Sequence, residues 1–558
     1  MIKTIRSNAL LFILILISFV AIFPLFHAGF FPIHDNTQVA RVFEMYSSLS
    51  SGLFPVRWVA DLGYGYGYPI FSFYAPLAYY VGALFIFLGF SALVATKIMI
   101  GLGVILAGIT MFYLVRELTD EWSGLVAGVL YVFAPYHALN LYVRGAVGEL
   151  CAYVFIPLVF LGFLRVIRKP SWRSIGLAVL GFAGVILSHN LTALMLVPFL
   201  LIFITIIFYK NPSKKAGIAV GVAFVLALLV SAWYWIPAIG ELPYTNVGSI
   251  IGGGSDYGDH FVCFSQLWSS QWGFAGSGPG CVDGLSFQLG KIHILLGIFT
   301  VLVSLFMLQK KQGVVLLVSA GFILSIFLMT PISKPVWDTL SFMKYLQFPW
   351  RFLQLALFFL SLLGGLGIHM MITYVIPKSI HKTLISAMVL LLIVIILMFY
   401  SKLFAPQVYY AQYRDETDKK VLNWTISRIS DEYMPSSFSR PRTEKEIPIR
   451  SFKAEESIAI TILEDSPTRL FLKTSSVNAG HVVINRAFFP AWQVALDNKP
   501  LSIVADHGLY DVIVPAGDHS IAMNFSQTPL ETAANGLSII GIVILFIGII
   551  RKKTLWHL

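Results

Sequence analysis

Charged side chains are scarce in this chain. They make up 12% of its 558 residues, against 57% hydrophobic. A water-soluble protein carries about a quarter, so a soluble globular fold is excluded. Cysteine is nearly absent, with three residues. That excludes a disulfide-built scaffold and a cysteine-rich metal site. No histidine cluster has zinc-ligand spacing. The formal charge of +11 does not come from a basic domain of the kind that binds nucleic acid. It is spread over short clusters beside apolar blocks, as the positive-inside rule predicts. The first apolar stretch also lacks a small-x-small cleavage site: Phe23-Pro24-Leu25-Phe26 reads as part of a retained span.

What the chain does have is apolar blocks of bilayer length. They lie near 8–26, 92–115, 123–143, 150–167, 174–190, 191–209, 216–238, 291–308, 313–330, 352–376, 383–400 and 535–550. They predict a polytopic α-helical membrane protein of about twelve spans. The basic clusters Lys3/Arg6, Arg165 to Arg173, Lys210 to Lys215, Lys310/Lys311, Lys378/Lys382 and Arg551 to Lys553 go to the cytoplasmic side, with both termini inside. Leu77 to Phe90 is short for a span and reads as a re-entrant or interfacial helix. In the alternative threading it crosses and inverts one loop. Four segments are then outside: 27–91, 239–290, 331–351 and 401–534. The domains are a transmembrane module over 1–400, an extracytoplasmic β-rich domain over 401–534, and a last helix with a basic tail over 535–558.

In the first outer loop, Val39, Val42, Phe43, Tyr46 and Leu49 share one helical face. This predicts an amphipathic helix lying flat on the membrane surface, with Asp35 or Asn36 as its N-cap. Asp35 has a second reading, a carboxylate at a cavity mouth placed to take a proton from a hydroxyl. Trp58, Tyr64, Tyr66, Tyr68, Phe71, Phe73 and Tyr74 follow. They suit an interfacial aromatic belt or a groove for sugar or isoprenoid. Cys263 and Cys281 fall in the second outer loop as a disulfide candidate, the alternative being two free thiols. Asp256, Asp259, His260 and Asp283 in that loop read as solvated residues. In the C-terminal segment, alternation of period two marks Ser457 to Leu463, Arg469 to Thr474, His481 to Asn485, Gln493 to Leu496, Tyr510 to Pro515 and Ser520 to Phe525. These predict an antiparallel β-sandwich or half-barrel preceded by a less regular segment.

Several short motifs follow one another in a fixed order: Pro76-Leu77-Ala78-Tyr79-Tyr80, Tyr113 to Leu118, Ala134-Pro135-Tyr136-His137 and Tyr142-Val143-Arg144-Gly145-Ala146-Val147-Gly148-Glu149. Gln347 to Leu353, Phe489 to Val494 and Val514 to His519 continue the order. The chain resembles the membrane module of glycosyltransferase superfamily C (GT-C). More narrowly, it is similar to bacterial membrane proteins labelled 6-pyruvoyl-tetrahydropterin-synthase-related. The resemblance implies an integral-membrane enzyme using a polyprenyl-phosphate-linked sugar, with Asp35 at the position of the catalytic base and Glu149 at that of a second catalytic carboxylate. The usual acidic pair is absent at Asp35, flanked by His34 and Asn36. A divalent metal is therefore left without support, and no other cofactor is expected.

Such a donor needs a cation for its leaving phosphate. Arg351 and Arg144 offer planar forks suited to phosphate, and His189 could line the same cavity. Each has a structural alternative: a snorkelling anchor for Arg351, a partner of Glu149 for Arg144, a satisfied polar residue for His189. The expected function is transfer of a sugar to a glycan, lipid or protein acceptor outside a bacterial plasma membrane. The partners are membrane lipids, the lipid-linked donor and the acceptor, not nucleic acid. The competing readings are a flippase or transporter of lipid-linked glycans and a non-catalytic scaffold.

Overall fold

The computed structural model describes residues 2–210, 212–250, 252–307, 312–377, 382–411, 415–501 and 505–551. The basic residues Lys310, Lys311, Lys378, Lys552 and Lys553 lie outside the described residues, as do the side chains of Lys3, Arg6 and Lys382.

Eight helices are long and apolar enough to cross a membrane: Ser7–Phe26, Ala92–Leu118, Val147–Arg168, Asn190–Lys210, Gln312–Met329, Pro349–Val375, Thr383–Leu403 and Pro529–Ile550. Two further blocks are bent pairs. Glu121–Val132 and Pro135–Arg144 meet at 41°, Lys214–Val230 and Ala232–Gly240 at 67°. The first break falls before Pro135, whose ring and missing N–H end an incoming helix. Trp172–Ser188 and Lys291–Met307, of 17 residues each, occupy the last two expected blocks. Leu77–Phe87 has 11 residues, about 16 Å of helix, and does not reach across a hydrocarbon core of about 30 Å. The protein is a multi-pass helical membrane protein with a C-terminal β domain. The helix Leu353–Met370 is buried on every face, the mark of a helix inside a bundle. At one end of the bundle, Arg116 donates to Ser7 Oγ (2.6 Å) and Arg165 pairs with Glu117 (2.6 Å). At the other end the loops meet one another: His34 Nε2 lies 2.9 Å from the Phe274 carbonyl, and Asn246 N–H donates to the Met434 carbonyl (2.8 Å).

The β domain is two antiparallel sheets. One has the order β1 (Phe452–Ala454), β4 (Gly480–Ala487), β8 (Leu509–Val514), β7 (Ala505–Asp506). The other runs β2 (Ile458–Ser466), β3 (Arg469–Ser476), β9 (Gly517–Phe525), β5 (Trp492–Leu496), β6 (Lys499–Leu501). Alternate residues such as Leu470, Leu472, Val482, Ile484, Val512, Ile521 and Met523 are fully buried, as a two-sheet core requires. The domain rests on the first loop. Ala487 N–H donates to the Tyr66 carbonyl (2.7 Å), and Trp58 packs against Phe489, Trp492 and Phe525. The aromatic run is thus no interfacial belt. Trp58, Tyr64, Tyr68, Phe71 and Phe73 are buried under the β domain and the segment before it. Gly67, at φ +81°, lets the chain pass against Trp58, where a Cβ would enter the indole ring.

The helix Gln38–Ser50 forms as periodicity predicts, but its polar face is not left to water. Its polar residues Gln38, Arg41, Glu44 and Ser48 are buried together with Val39, Val42 and Met45. Residues 415–434 cover the polar side, through Arg41 to Ser430 Oγ (2.8 Å) and Lys419 to Asp61 (3.0 Å). Asp61 N–H in turn donates to Glu44. The N-cap is Thr37, not Asp35 or Asn36, and no side-chain capping bond is made. The free backbone N–H of Ala40 is met instead from a distance, by Glu416.

Burial raises the Glu416 carboxyl from 4.5 to about 7. A carboxyl whose folded value lies above its unfolded one stabilises the fold fully below 4.5, and that stability is lost as pH rises through about 7. The thermal midpoint should therefore fall between pH 5 and pH 8, by at most about 3 kcal/mol of stability. Glu416→Gln should flatten the profile. A slope identical in the variant would remove Glu416 as its source.

Candidate functional site

The site begins where the chain leaves Pro135–Leu139. Asn140–Arg144 forms a π turn closed by Gly145 at φ +66°. Such turns re-aim side chains that a regular helix would point elsewhere. A Cβ at Gly145 would strike Ile33. The close approach lets His34 N–H donate to the Val143 carbonyl and Asp35 N–H to the Arg144 carbonyl, each at 2.9 Å. Asp35 is therefore locked by backbone pairing beside Arg144. Gln38 Nε2 adds bonds to the Asp35 and Gly145 carbonyls (3.2 and 2.9 Å).

Glu149 lies in the first turn of the helix Val147–Arg168 and is 2% exposed. Both its oxygens are held. Arg144 forms a two-pronged bridge to them, 2.9 Å to Oε1 and 2.9 Å to Oε2. Tyr136 Oη and Asn140 Nδ2 also donate to Oε2, at 2.8 and 3.2 Å. Arg351, from the turn Pro349–Phe352 that opens the central helix, places Nε 3.5 Å from Oε1. That is ion-pair distance, and Nε is buried with no aligned hydrogen bond among the described residues. Arg351 also donates to the Leu346 carbonyl (3.0 Å). Two aromatic rings floor the cations: Trp350 lies 4.6 Å from the Arg144 guanidinium and Phe348 5.1 Å from that of Arg351. Three residues after Arg351, Gln354 donates to the Glu149 carbonyl (3.1 Å) and accepts from Thr192 Oγ1 (2.9 Å). His189 Nδ1 lies 2.8 Å from that hydroxyl.

Asp35, Arg144, Glu149, His189 and Arg351 come together on the border of one cavity of about 500 Å³. No hydrogen bond reaches the Asp35 carboxylate among the described residues. Sequence reasoning missed Thr37, Arg41, Ser430, Glu432 and Tyr433, which line the same space. Arg41 sat on the polar side of a helix expected to lie flat on a membrane surface. Ser430 to Tyr433 belong to a segment without periodicity, where the acidic pair Asp431-Glu432 was the one available signal. Among the described residues no three His, Cys, Asp or Glu side chains are grouped to hold a metal ion.

Cys263 and Cys281 do not line the cavity. They are joined in a disulfide, Cα atoms 5.6 Å apart, within a loop where Asp256 and Asp259 are exposed as expected while His260 and Asp283 are not. Asp283 accepts from Gln266, Ser270 and the Gln271 N–H (2.8, 2.7 and 2.9 Å). His260 is 5% exposed and bonds Ser277 (2.8 Å), which accepts from Trp350 Nε1 (3.0 Å). The stapled loop thus steadies the ring under Arg144. Replacing both cysteines by serine should cost about 2–4 kcal/mol, read as a lower unfolding midpoint. An unchanged midpoint would show that the Asp283 bonds alone hold the loop.

Residues 71–247 match the model of a family described as 6-pyruvoyl-tetrahydropterin synthase related domain, membrane protein. The matched stretch includes Arg144, Glu149 and His189, and leaves out Asp35 and Arg351. An uncharacterized protein of Lactococcus lactis subsp. cremoris (strain MG1363) is 27% identical over 240 residues, 41% of this chain and 39% of that protein. The chain therefore spans well under half the length of that relative. Two solved structures are similar over most of the chain. Arabinofuranosyltransferase AftD from Mycobacteria shares 13% identity, covering 76% of this chain and 27% of AftD, with a TM-score of 0.44. The Archaeoglobus fulgidus oligosaccharyltransferase in its apo form shares 12%, covering 78% and 62%, with a TM-score of 0.45.

Proposed function

We propose that the protein is a membrane glycosyltransferase that moves a sugar from a polyprenyl-phosphate-linked donor to an extracytoplasmic acceptor, with inversion. The observation that carries this reading is the pairing, in one cavity, of two arginines on a buried carboxylate with a second carboxylate that no hydrogen bond occupies. Arg144 and Arg351 receive the donor phosphate. As the bond from the sugar C1 to the phosphate oxygen breaks, charge grows on that oxygen beside fixed guanidinium groups, which is where preorganised charge lowers a barrier most. Asp35 takes the proton of the acceptor hydroxyl as its oxygen bonds C1 from the opposite side. Glu149 has no free oxygen for a proton. Its role is to position the two arginines, and Gln354 with Thr192 and His189 fixes the turn that carries it. Leu191, Leu194 and Ile239 form an apolar edge of the cavity. Leu194 and Ile239 are themselves exposed, which suits a polyprenyl tail entering from the bilayer. The distribution of basic clusters in the sequence supports reading this cavity as extracytoplasmic, with both termini inside a bacterial plasma membrane.

The test is direct. Protein purified in nanodiscs is analysed by native mass spectrometry with undecaprenyl phosphate, then assayed for sugar transfer from lipid-linked donors. The reading expects one bound lipid, lost in Arg351→Gln, and transfer without movement of the lipid between leaflets. No lipid bound, or lipid moved across the bilayer with its sugar intact, rejects it.

A further inference from the structure

The cavity has a second charged end that phosphate binding leaves unused. Thr37 and Arg41 lie one turn apart at the start of the helix Gln38–Ser50 and face Ser430, Glu432 and Tyr433 across the space. Arg41 is 4% exposed, donates to Ser430 Oγ (2.8 Å), and sits 4.3 Å over the Tyr74 ring. Ser430 Oγ lies 3.1 and 3.0 Å from the two Glu432 oxygens. The Thr37 hydroxyl is 1% exposed, borders the cavity and has no partner among the described residues. A buried hydroxyl without a partner costs free energy unless a ligand supplies one.

The two ends differ in charge. At the first, two guanidiniums face one carboxylate, which leaves room for an anion. At the second, one guanidinium faces one carboxylate, so an anion there would meet Glu432. What fits a mixed set of donors and acceptors is a group that both donates and accepts, in several directions from a small ring: the hydroxyls of a sugar. Tyr74 and Tyr433 also line this end and add ring surface for the C–H side of such a ring, with one face of Tyr74 taken by Arg41 and one of Tyr433 by Phe73. An extended peptide would instead ask for backbone donors and acceptors repeating about every 3.4 Å along an edge, and this end offers converging side chains. Asp35 lies between the ends, two residues before Thr37 and backbone-bonded to Arg144.

We infer that this end is the acceptor subsite and that the acceptor is a neutral glycan, held by Thr37, Arg41, Ser430 and Glu432 between Tyr74 and Tyr433. The inference rests on the glycosyl-transfer reading. It also explains the segment 415–434, which closes the cavity and selects the acceptor.

Saturation-transfer NMR on the full chain in nanodiscs, free of glycosidic detergent, tests it. The probes are methyl glycosides of glucose, galactose and rhamnose, with methyl glucuronide, glucose 6-phosphate and N-acetyl-tetra-alanine amide as contrasts. The neutral glycosides should bind. Thr37→Val and Glu432→Gln, both close in shape to the native side chain, should each weaken them about tenfold, the loss of one good hydrogen bond; Thr37→Val, which removes a hydroxyl without a partner, should keep the wild-type unfolding midpoint, whereas Glu432→Gln removes a counter-charge of buried Arg41 and should lower it. Arg351→Gln should leave them unchanged. Binding of the acidic sugars or the peptide in place of neutral glycosides overturns the inference. So does neutral-sugar binding that survives both variants. If undecaprenyl phosphate binds and no saccharide does, this inference falls while the transfer reading stands. If neither binds, both fall.

Discussion

Glu149→Ala should lower the stability of the protein by about 3–5 kcal/mol, the cost of stripping one partner from a buried ion pair. The pair itself is not the source of that number. Moving two charges out of water costs about what their attraction returns. The loss comes from what stays behind: the Arg144 guanidinium, 7% exposed, and Arg351, with its buried Nε, would lose the carboxylate that holds them and keep only Asp35, across the cavity lining, as a nearby opposite charge. Tyr136 and Asn140 would also lose the acceptor they now donate to. Two measurements check this. The unfolding midpoint of Glu149→Ala in nanodiscs should drop sharply, and adding Arg144→Met should recover part of the drop, because the second change removes a charge that the first left unpaired. If the single variant unfolds within about 1 kcal/mol of wild type, the two arginines are not held by Glu149 and its positioning role is wrong.

Much of the architecture was legible in the sequence, because bilayer length and strand alternation are local signals. Each of the six alternating stretches became a strand: β2, β3, β4, β5, β8 and β9. β1, β6 and β7 went unread, being three, three and two residues long, too short to show a period. The broken spans were half legible. Pro135 marks one break, but the 67° bend at Ser231 follows an unbroken apolar run and leaves no composition signal. The candidate residues Asp35, Arg144, Glu149, His189 and Arg351 came from order and sidedness, and they do share one cavity. What could not be read was partnership. Periodicity shows that a helix has a polar face; it does not show that residues far along the chain will bury that face, as Ser430 does for Arg41. Nor could it reveal that Thr37 would cap the helix and leave the Asp35 carboxylate unengaged.

That last point decides the second large effect. Asp35→Asn should reduce sugar transfer by about two to four orders of magnitude, the usual worth of a positioned base, and leave the unfolding midpoint unchanged. The contrast with Glu149 is the content of the prediction. Asp35 is held through its backbone: its N–H reaches the Arg144 carbonyl, and its carbonyl accepts from Thr37 N–H and Gln38 Nε2. Asparagine keeps all three bonds and nearly the same shape. Had the carboxylate been the helix cap, its loss to alanine would cost about 1 kcal/mol of stability, and transfer would fall only as far as the fold weakened. The two origins separate cleanly, because one shows in the rate at full stability and the other in the midpoint. Donor binding should also be retained in Asp35→Asn, since the phosphate lies on Arg144 and Arg351, so the fall belongs to turnover and not to affinity. A variant that transfers sugar at the wild-type rate would remove Asp35 from the chemistry.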